Sequence, residues 1–362
     1  MLGLVSIVIP NYNYAEYLAA AVESALALDW PEIEVIVVDD GSTDGSRAVI
    51  EGFGERVVSI YQANLGQRAA YNAGFAKSRG ELVIFLDADD LLHPTLIRKI
   101  ADVWRAGLSK VQVQMRVVDA QGADRGSVLP QYDLVPTAPL VKRWMTAAAD
   151  YPTPPGSANA YARAFLEQIF PLAGEDEAGD SYCVAAAPFL GDVVTIPEPL
   201  VSYRVHGRNA GAMSRLEKRR FNQEVRRALA RFRYAQAVAL RAGVKLPDHA
   251  LARGLRFLPY RLASLRLAPA THPLAGDSKR KVLVDAVLAA LEPQGFSARS
   301  RAALFGWLLA SALAPASVAE KLILWRFVAS SRPHELQAAL RRLRIVRGRG
   351  AVRPNRAEPR CA

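Results

Sequence analysis

The chain has 362 residues, 51% hydrophobic and 22% charged, the composition of a soluble globular protein with material for two or so domains and a large core. Its two cysteines, Cys183 and Cys361, lie far apart and have no metal-type spacing partner, which argues against a disulfide framework and for a reducing compartment. The net charge of +11 hides an asymmetry: residues 1–212 carry 16 Lys and Arg against 26 Asp and Glu (−10), whereas residues 213–362 carry 30 against 9 (+21).

Met1 to Pro10 has no basic region and runs straight into an apolar stretch, so no signal peptide is expected. The longest apolar candidate, Ala302–Ala314, is too short to span a bilayer. These features predict a cytoplasmic protein. A +21 region also predicts an anionic partner, either nucleic acid or the cytoplasmic face of the inner membrane.

Leu4–Ile9 predicts a buried first strand, broken at Pro10-Asn11-Tyr12-Asn13, and then a helix with Leu18, Val22, Ala25 and Leu26 on one face. Ile33–Val38 predicts a second strand. Asp39 to Asp44 ends it and supplies the cap of a helix reaching about Phe53. A third strand is expected at Val57–Tyr61, a turn at Asn64-Leu65-Gly66, and a helix at Gln67–Lys77 with Ala70, Ala73 and Gly74 on a close-packing face. Leu82–Leu86 is a fourth strand, followed by Asp87-Ala88-Asp89-Asp90. A helix at Pro94–Trp104 and a strand at Val111–Val118 continue the alternation, which implies a mostly parallel sheet with helices on both faces. Further on, helices are expected at Pro139–Ala148, Ala158–Ile169 and Ser181–Leu190, a strand at Val193–Pro197 and an extended segment at Leu200–His206. Beyond Gly211 the pattern is helical: Arg215–Ala242, Lys279–Leu291, Arg299–Leu313 and Val318–Ala329, with an arginine-rich tail from Leu340. We therefore expect two regions, 1–212 (α/β) and 213–362 (basic and α-helical).

In a parallel sheet the carboxyl ends of the strands lie side by side and hold the ligand. Pro10–Asn13, Asp39–Asp44 and Asp87–Asp90 converge there. Carboxylate oxygens are hard donors suited to Mg²⁺ or Mn²⁺ bridged to substrate phosphates. Neither the G-x-G-x-x-G dinucleotide fingerprint nor a P-loop is present. Taken alone, Asp87-Ala88-Asp89-Asp90 also reads as an acidic, capped turn.

The segments Val5–Asn13, Val37–Asp44, Asn64-Leu65-Gly66 with Asn72-Ala73-Gly74, and Gly80 with Leu86–Asp90 resemble glycosyltransferase family 2 in order and spacing. Pro197–Asn209 is similar to that family's later signature. The resemblance covers about the first 210 residues. It implies a GT-A fold and metal-dependent, inverting transfer from a nucleotide-sugar, UDP- or GDP-linked, to a hydroxyl of a glycan, lipid-linked or other acceptor, in surface polysaccharide or other glycoconjugate synthesis.

It also implies roles. Pro10, Asn11, Tyr12, Asp39, Asp40, Arg68, Asp87, Ala88, Asp89 and Arg204 would contact the donor nucleotide. Asp40 would accept from the base, while Asp39 either joins it or caps the next helix. Asp89 and His206 would ligate a divalent cation, Mn²⁺ or Mg²⁺. Asp87 would reach the ribose or an outer-shell water, and Asp90 would cap a helix or touch the sugar. Arg204 would meet phosphate. The catalytic base is expected among Glu175, Asp176, Glu177 and Asp180, with Asp180 first because it opens a helix and Asp176 second. The rival readings are a sugar nucleotidyltransferase and a non-catalytic nucleotide-sugar-binding module. In the basic region, Lys321–Val328 alternates basic and apolar residues around Trp325 and Phe327. It reads either as an anionic-membrane contact or as a helix packed on the core with a basic outer face. No nucleic-acid recognition motif accompanies the charge.

Overall fold

Alternation along the first strand assigns its faces. Val5, Ile7 and Ile9 join one apolar core and Val8 the other, as period-2 geometry requires. The computed structural model describes residues 2–173, 179–207, 209 and 216–342. Strand β1 (Val5–Asn11) is followed by α1 (Ala15–Leu26), β2 (Ile33–Asp40), α2 (Ser46–Glu51), β3 (Val58–Gln62), α3 (Gln67–Lys77) and β4 (Leu82–Phe85). Next come β5 (Leu91–Leu92), α4 (Leu96–Ala101), β6 (Leu108–Asp119), β7 (Asp124–Leu129), α5 (Ala138–Ala148), β8 (Asn159–Ala162), α6 (Arg163–Leu166), α7 (Gly179–Leu190) and β9 (Asp192–Val205). Six helices complete the described chain: α8 (Lys218–Arg241), α9 (Phe257–Leu267), α10 (Lys279–Ala290), α11 (Ala298–Leu313), α12 (Ala316–Phe327) and α13 (His334–Arg342).

The nine strands form one mixed sheet in the order β3-β2-β1-β4-β8-β6-β9-β5, with β7 on β6. The first four are parallel, and β8 runs antiparallel between β4 and β6. Helices α1, α2 and α4 cover one face, and α3, α5, α6, α7 and α8 the other. The close-packing role of Gly74 holds: a Cβ there would lie 2.3 Å from Val8 Cγ1.

Three local expectations are corrected. Pro10 does not break β1, which pairs with β2 through Asn11. The Val8 carbonyl accepts from Leu86, so the alternate residue Pro10 faces the β4 side, where the ladder has already ended at Phe85. Its missing N–H therefore leaves no bond unmade. Ala158–Ile169 is not one helix: its first half is β8, paired on both sides and buried on both faces, and only Arg163–Leu166 is helical. The two extended pieces near Pro197 form a single strand, β9, with register shifts around Val113 and Gln114 that accommodate its prolines. Helix α9 falls in a stretch with no sequence expectation.

Helix α8 packs into the same core as the sheet, with Val225, Phe232, Ala235 and Val238 buried beside Phe85 and Cys183. Helices α9, α10 and α11 enclose a smaller core of their own around Leu258, Leu262, Val282 and Leu308. In α12, Phe327 meets Phe221 and Tyr260 with ring centroids 4.9 and 4.8 Å apart, and Arg326 lies over the Trp307 ring. The Lys321–Val328 stretch thus turns Ile323 and Phe327 toward protein.

A buried polar network locks α8, α9 and α10. Arg261 donates to both oxygens of Asp277 and to Asp285, each at 2.7 Å. His272 Nε2 meets Asp277 Oδ2 at 3.1 Å, and its Nδ1 meets Ser264 Oγ at 2.6 Å. This Ser-His-Asp sequence of contacts is structural, because Ser264 is fully buried and also bonded to Asn222. Burial pushes Asp277 up, but hydrogen bonding and charge from Arg261 outweigh it and hold the carboxyl below its ordinary 3.8. A depressed folded pKa gives stability that is present above the ordinary carboxylate range and lost as pH falls through the lower folded value. We predict that Arg261→Met, which strands the buried Asp277 and the partly buried Asp285, destabilises the fold by about 3–5 kcal/mol in urea titrations at neutral pH. The deficit should shrink in acid as the carboxyls protonate. A neutral-pH loss below about 1 kcal/mol would rule out this account.

Candidate active site

The turns after β1 and β2 are stitched together by their own side chains. Asn11 Nδ2 donates to Asp39 Oδ1 (2.9 Å) and to Ser42 Oγ (3.1 Å). Asn13, at φ 59, accepts from the Thr43 amide, and its own amide donates to Ser42 Oγ. Asp44 accepts from the amides of Ala15 and Ser46, tying the starts of α1 and α2 together. The side-chain cap expected from this acidic turn is not made: the N-cap of α2 is Gly45, and Asp44 accepts from the Ser46 amide from the position before it. Asp40 is committed to the next turn, where it accepts from Gln62 Nε2, Leu65 N and Gly66 N at 2.6–2.9 Å. Asp39 and Asp40 are both buried, whereas the Tyr12 ring beside them is 44% exposed. Pro10 is the penultimate residue of β1, next to this pair, and Arg68 sits in the first turn of α3.

The acids after β4 separate into different environments. Asp90 is buried: it accepts from Ser157 Oγ at 2.6 Å and from the Arg204 amide at 3.1 Å. Burial, then the charge of Asp89, pushes its carboxyl up to about 8. It neither caps a helix nor faces a sugar, because α4 begins at Leu96 and the carboxyl is enclosed by protein. The same serine accepts from the Asp87 amide, so one hydroxyl braces both ends of the turn. Ala88 is buried between them.

Asp87 lies half-buried. Burial and the negative charges of Asp90, Asp89 and Asp180 raise its pKa well above the ordinary value. Gly156 shows how close these groups come. A Cβ there would stand 3.5 Å from Asp87 Oδ2, 3.5 Å from the Tyr71 hydroxyl and 3.7 Å from Asp180 Oδ2. Gly156 thus leaves open the space that these three groups border. The Tyr71 hydroxyl has no hydrogen-bond partner among the described residues. Burial, and then Asp87 and Asp180, push its pKa up. Its ring stacks on Phe85 (4.1 Å) and touches the backbone of Gly179, immediately before Asp180 in α7. Glu175, Asp176 and Glu177 lie outside the described residues.

Asp89 turns the other way. Its Oδ2 lies 2.9 Å from His206 Nε2 and 3.2 Å from Asn209 Nδ2. Asn209 also accepts from the His206 amide and donates to the Arg204 carbonyl, closing the end of β9 around the pair. The His206 ring stacks on Tyr17 at 4.7 Å. Arg204 donates to the carbonyls of Asp89 and Ala120 and covers the Tyr17 ring. It is 7% exposed and holds the turn through these bonds.

Among the described residues, no group of three or more His, Cys, Asp and Glu side chains is arranged to hold a cation. Asp89 and His206 nevertheless offer two adjacent donors close to the carboxylates of Asp87 and Asp90. Mg²⁺ and Mn²⁺ commonly take one or two protein ligands and complete their shell with water and phosphate oxygens. The donor set fits an ion shared with a diphosphate.

The structure gathers Asp87, Asp89, Asp180 and His206 at one end of the sheet and places Asp39 and Asp40 inside the wall beside them. Sequence reasoning assigned no role to Ser157, Gly156, Tyr71, Gln67 or Asn209. Gln67 bridges Asp87 and the Gly179 amide at 3.4 and 3.3 Å. The only signal for Gly156-Ser157 was a Pro-rich stretch from Pro152 to Pro155.

Residues 6–170 match the family described as Glycosyl transferase family 2. An uncharacterized glycosyltransferase of Nostoc sp. is 36% identical over 218 residues, covering 57% of this chain and 66% of the relative. Glycosyltransferase GlyG of Streptococcus pneumoniae is 38% identical over 104 residues, covering 28% of this chain and 35% of GlyG. The matched segment thus spans less than two thirds of either relative's length. Among solved structures, residues 1–349 of S. aureus TarS in complex with UDP-GlcNAc superpose with a TM-score of 0.53 at 17% identity, covering 90% of this chain and 92% of that one. This likeness is one of fold. Residues 6–170 thus match glycosyl transferase family 2 and lie on a GT-A fold.

Proposed function

We propose that the chain transfers a sugar from a nucleoside diphosphate donor, UDP- or GDP-linked, to a hydroxyl of a glycan or lipid-linked acceptor, with inversion. The observation that carries this reading is the convergence of Asp87, Asp180 and Tyr71 on the space left by Gly156, with the Asp89–His206 pair alongside. In this reading the nucleoside lies against the exposed Tyr12 ring, over the wall made by Pro10, Asn11, Asp39 and Asp40. Arg68, Asp87 and Ala88 border the donor. Arg204 acts through the turn it holds.

Asp180 is the general base and takes the proton of the acceptor hydroxyl. The acceptor oxygen attacks the anomeric carbon opposite the leaving group. The new C–O bond forms as the bond to the diphosphate breaks, so the configuration inverts. Asp89 and His206 would hold Mn²⁺ or Mg²⁺. Bound there, the ion would offset the charge gained by the departing nucleoside diphosphate. Asn209 and Tyr17 keep the His206 ring in place.

The test is turnover across a panel of UDP- and GDP-sugars with Mn²⁺ or Mg²⁺, scored by nucleoside diphosphate release. The TarS complex with UDP-GlcNAc places UDP-sugars first in that panel. Pyrophosphate release would instead identify nucleotidyl transfer, and donor binding without turnover would identify a binding module. Asp180→Asn should lower kcat by about 10²–10⁴ with donor affinity retained. If Asp180→Asn and Asp89→Ala both leave turnover unchanged, the mechanism is wrong. Asn209→Ala, which releases both members of the Asp89–His206 pair, should weaken Mn²⁺ activation by about 10–100-fold in a metal titration.

Gly179→Ala tests the placement of Asp180 from behind. Its Cβ would fall 2.7 Å from Tyr71 Cγ and Cδ2, and that ring is backed by Phe85. Helix α7 must move, at about 1–3 kcal/mol. The variant should show a lower Tm together with reduced turnover, and an unchanged Tm would refute the contact.

A further inference from the structure

Helices α10 and α11 are apolar on two sides. Their inner faces, Val282, Ala286 and Ala289 on α10 with Leu304, Leu308 and Ala312 on α11, form the small C-terminal core. Their outer faces are aliphatic as well. Val284, Val287, Leu288 and Leu291 stand out from α10 at 37–78% exposure, and Leu309 and Leu313 from α11 at 38% and 72%. On α10 these positions follow helical spacing behind Arg280, so they share one stripe. Helices of soluble proteins keep a polar outer face, and contiguous exposed apolar patches mark interaction sites.

The two stripes meet. Lys279, Arg280, Val284 and Val287 line a groove of about 500 Å³ together with Phe305 and Leu313. Neither Lys279 nor Arg280 has a carboxylate within ion-pair distance among the described residues. We infer that this α10–α11 face docks on a bilayer containing anionic lipid, with the aliphatic stripes entering the interface and Lys279 and Arg280 contacting headgroups.

Three observations select this occupant. The patch is almost wholly aliphatic, whereas protein interfaces concentrate Tyr, Trp and hydrogen-bonding groups. Its cations sit at the edge of the apolar stripe, the arrangement of interfacial helices. The region that presents it carries a net +21, so a second copy packed on this face would bring two strongly positive surfaces together, while an anionic bilayer complements them. No helix among the described residues is long and apolar enough to cross a membrane. The face differs from the Lys321–Val328 stretch, whose Phe327 is spent on internal packing. The inference does not depend on donor or acceptor chemistry.

The test is co-sedimentation of the full chain with phosphatidylcholine vesicles, with and without phosphatidylserine. Binding is expected only with phosphatidylserine and should weaken as salt rises. Lys279→Ala combined with Arg280→Ala should reduce partitioning roughly 30-fold, from about 1 kcal/mol per cation. Leu291→Asp combined with Leu313→Asp should abolish it with Tm unchanged, because both side chains are exposed. Donor turnover without vesicles should be the same in all variants, which separates this result from failure of the catalytic reading. The inference is overturned if the wild-type chain ignores phosphatidylserine vesicles or if the aspartate variant still binds them. It is also overturned if sedimentation velocity shows wild-type self-association that the aspartate variant loses.

Discussion

Electrostatic crowding at the end of β4 is the constraint that the rest of the structure serves. Asp87, Asp89, Asp90 and Asp180 converge in a partly dry pocket, where like charges repel more strongly than in water. The fold handles each acid differently. Asp90 is enclosed by Ser157 and the Arg204 amide, with its pKa raised to about 8. Asp89 is turned onto His206 and Asn209. Asp87 and Asp180 border the space beside Gly156.

Supplying those partners explains features that look like irregularities of the sheet. The antiparallel insertion of β8 between β4 and β6 places the preceding Gly156-Ser157 turn under the acidic turn. The length of β9 carries Arg204 and His206 back to the same point from the far side. Helix α7 starts against the Tyr71 ring, which fixes where Asp180 stands. The acids of the first two turns work inward: Asp39, Asp40 and Asp44 brace backbone amides and side chains and hold the wall rigid. Their charges are satisfied by protein, and the Tyr12 ring is left exposed above them.

The acidic body and the basic helices are joined by packing rather than by a loose linkage. Helix α8 buries Val225, Phe232 and Val238 in the main core, and the Arg261 network then fixes α9 and α10 to it. A boundary drawn at residue 212 from composition therefore marks a change of charge, while the apolar core crosses it through α8. The membrane-facing stripe proposed above lies on α10 and α11, beyond the reach of that core.

Periodicity and turn chemistry in the sequence determined the four parallel strands, helix α3 from Gln67 to Lys77, and the gathering of three polar turns at one sheet end. These features rest on local apolar runs and their acidic stops, which need no distant partner to be read. Tertiary structure alone decided the rest. Residues 159–162 have helix-favouring neighbours, yet form a strand because β4 and β6 offer backbone pairing on both sides. Asp40 and Asp90 look like Asp89 in sequence, yet each meets different partners, because which carboxylate meets an amide depends on segments 22 to 114 residues away. Ser157 and Gly156 carried no motif of their own, and Asn209, though inside the Pro197–Asn209 signature, had no role assigned, because what each does depends on acids distant in the chain. Burial and partners, which set each acid's charge and task, arise only once those segments meet.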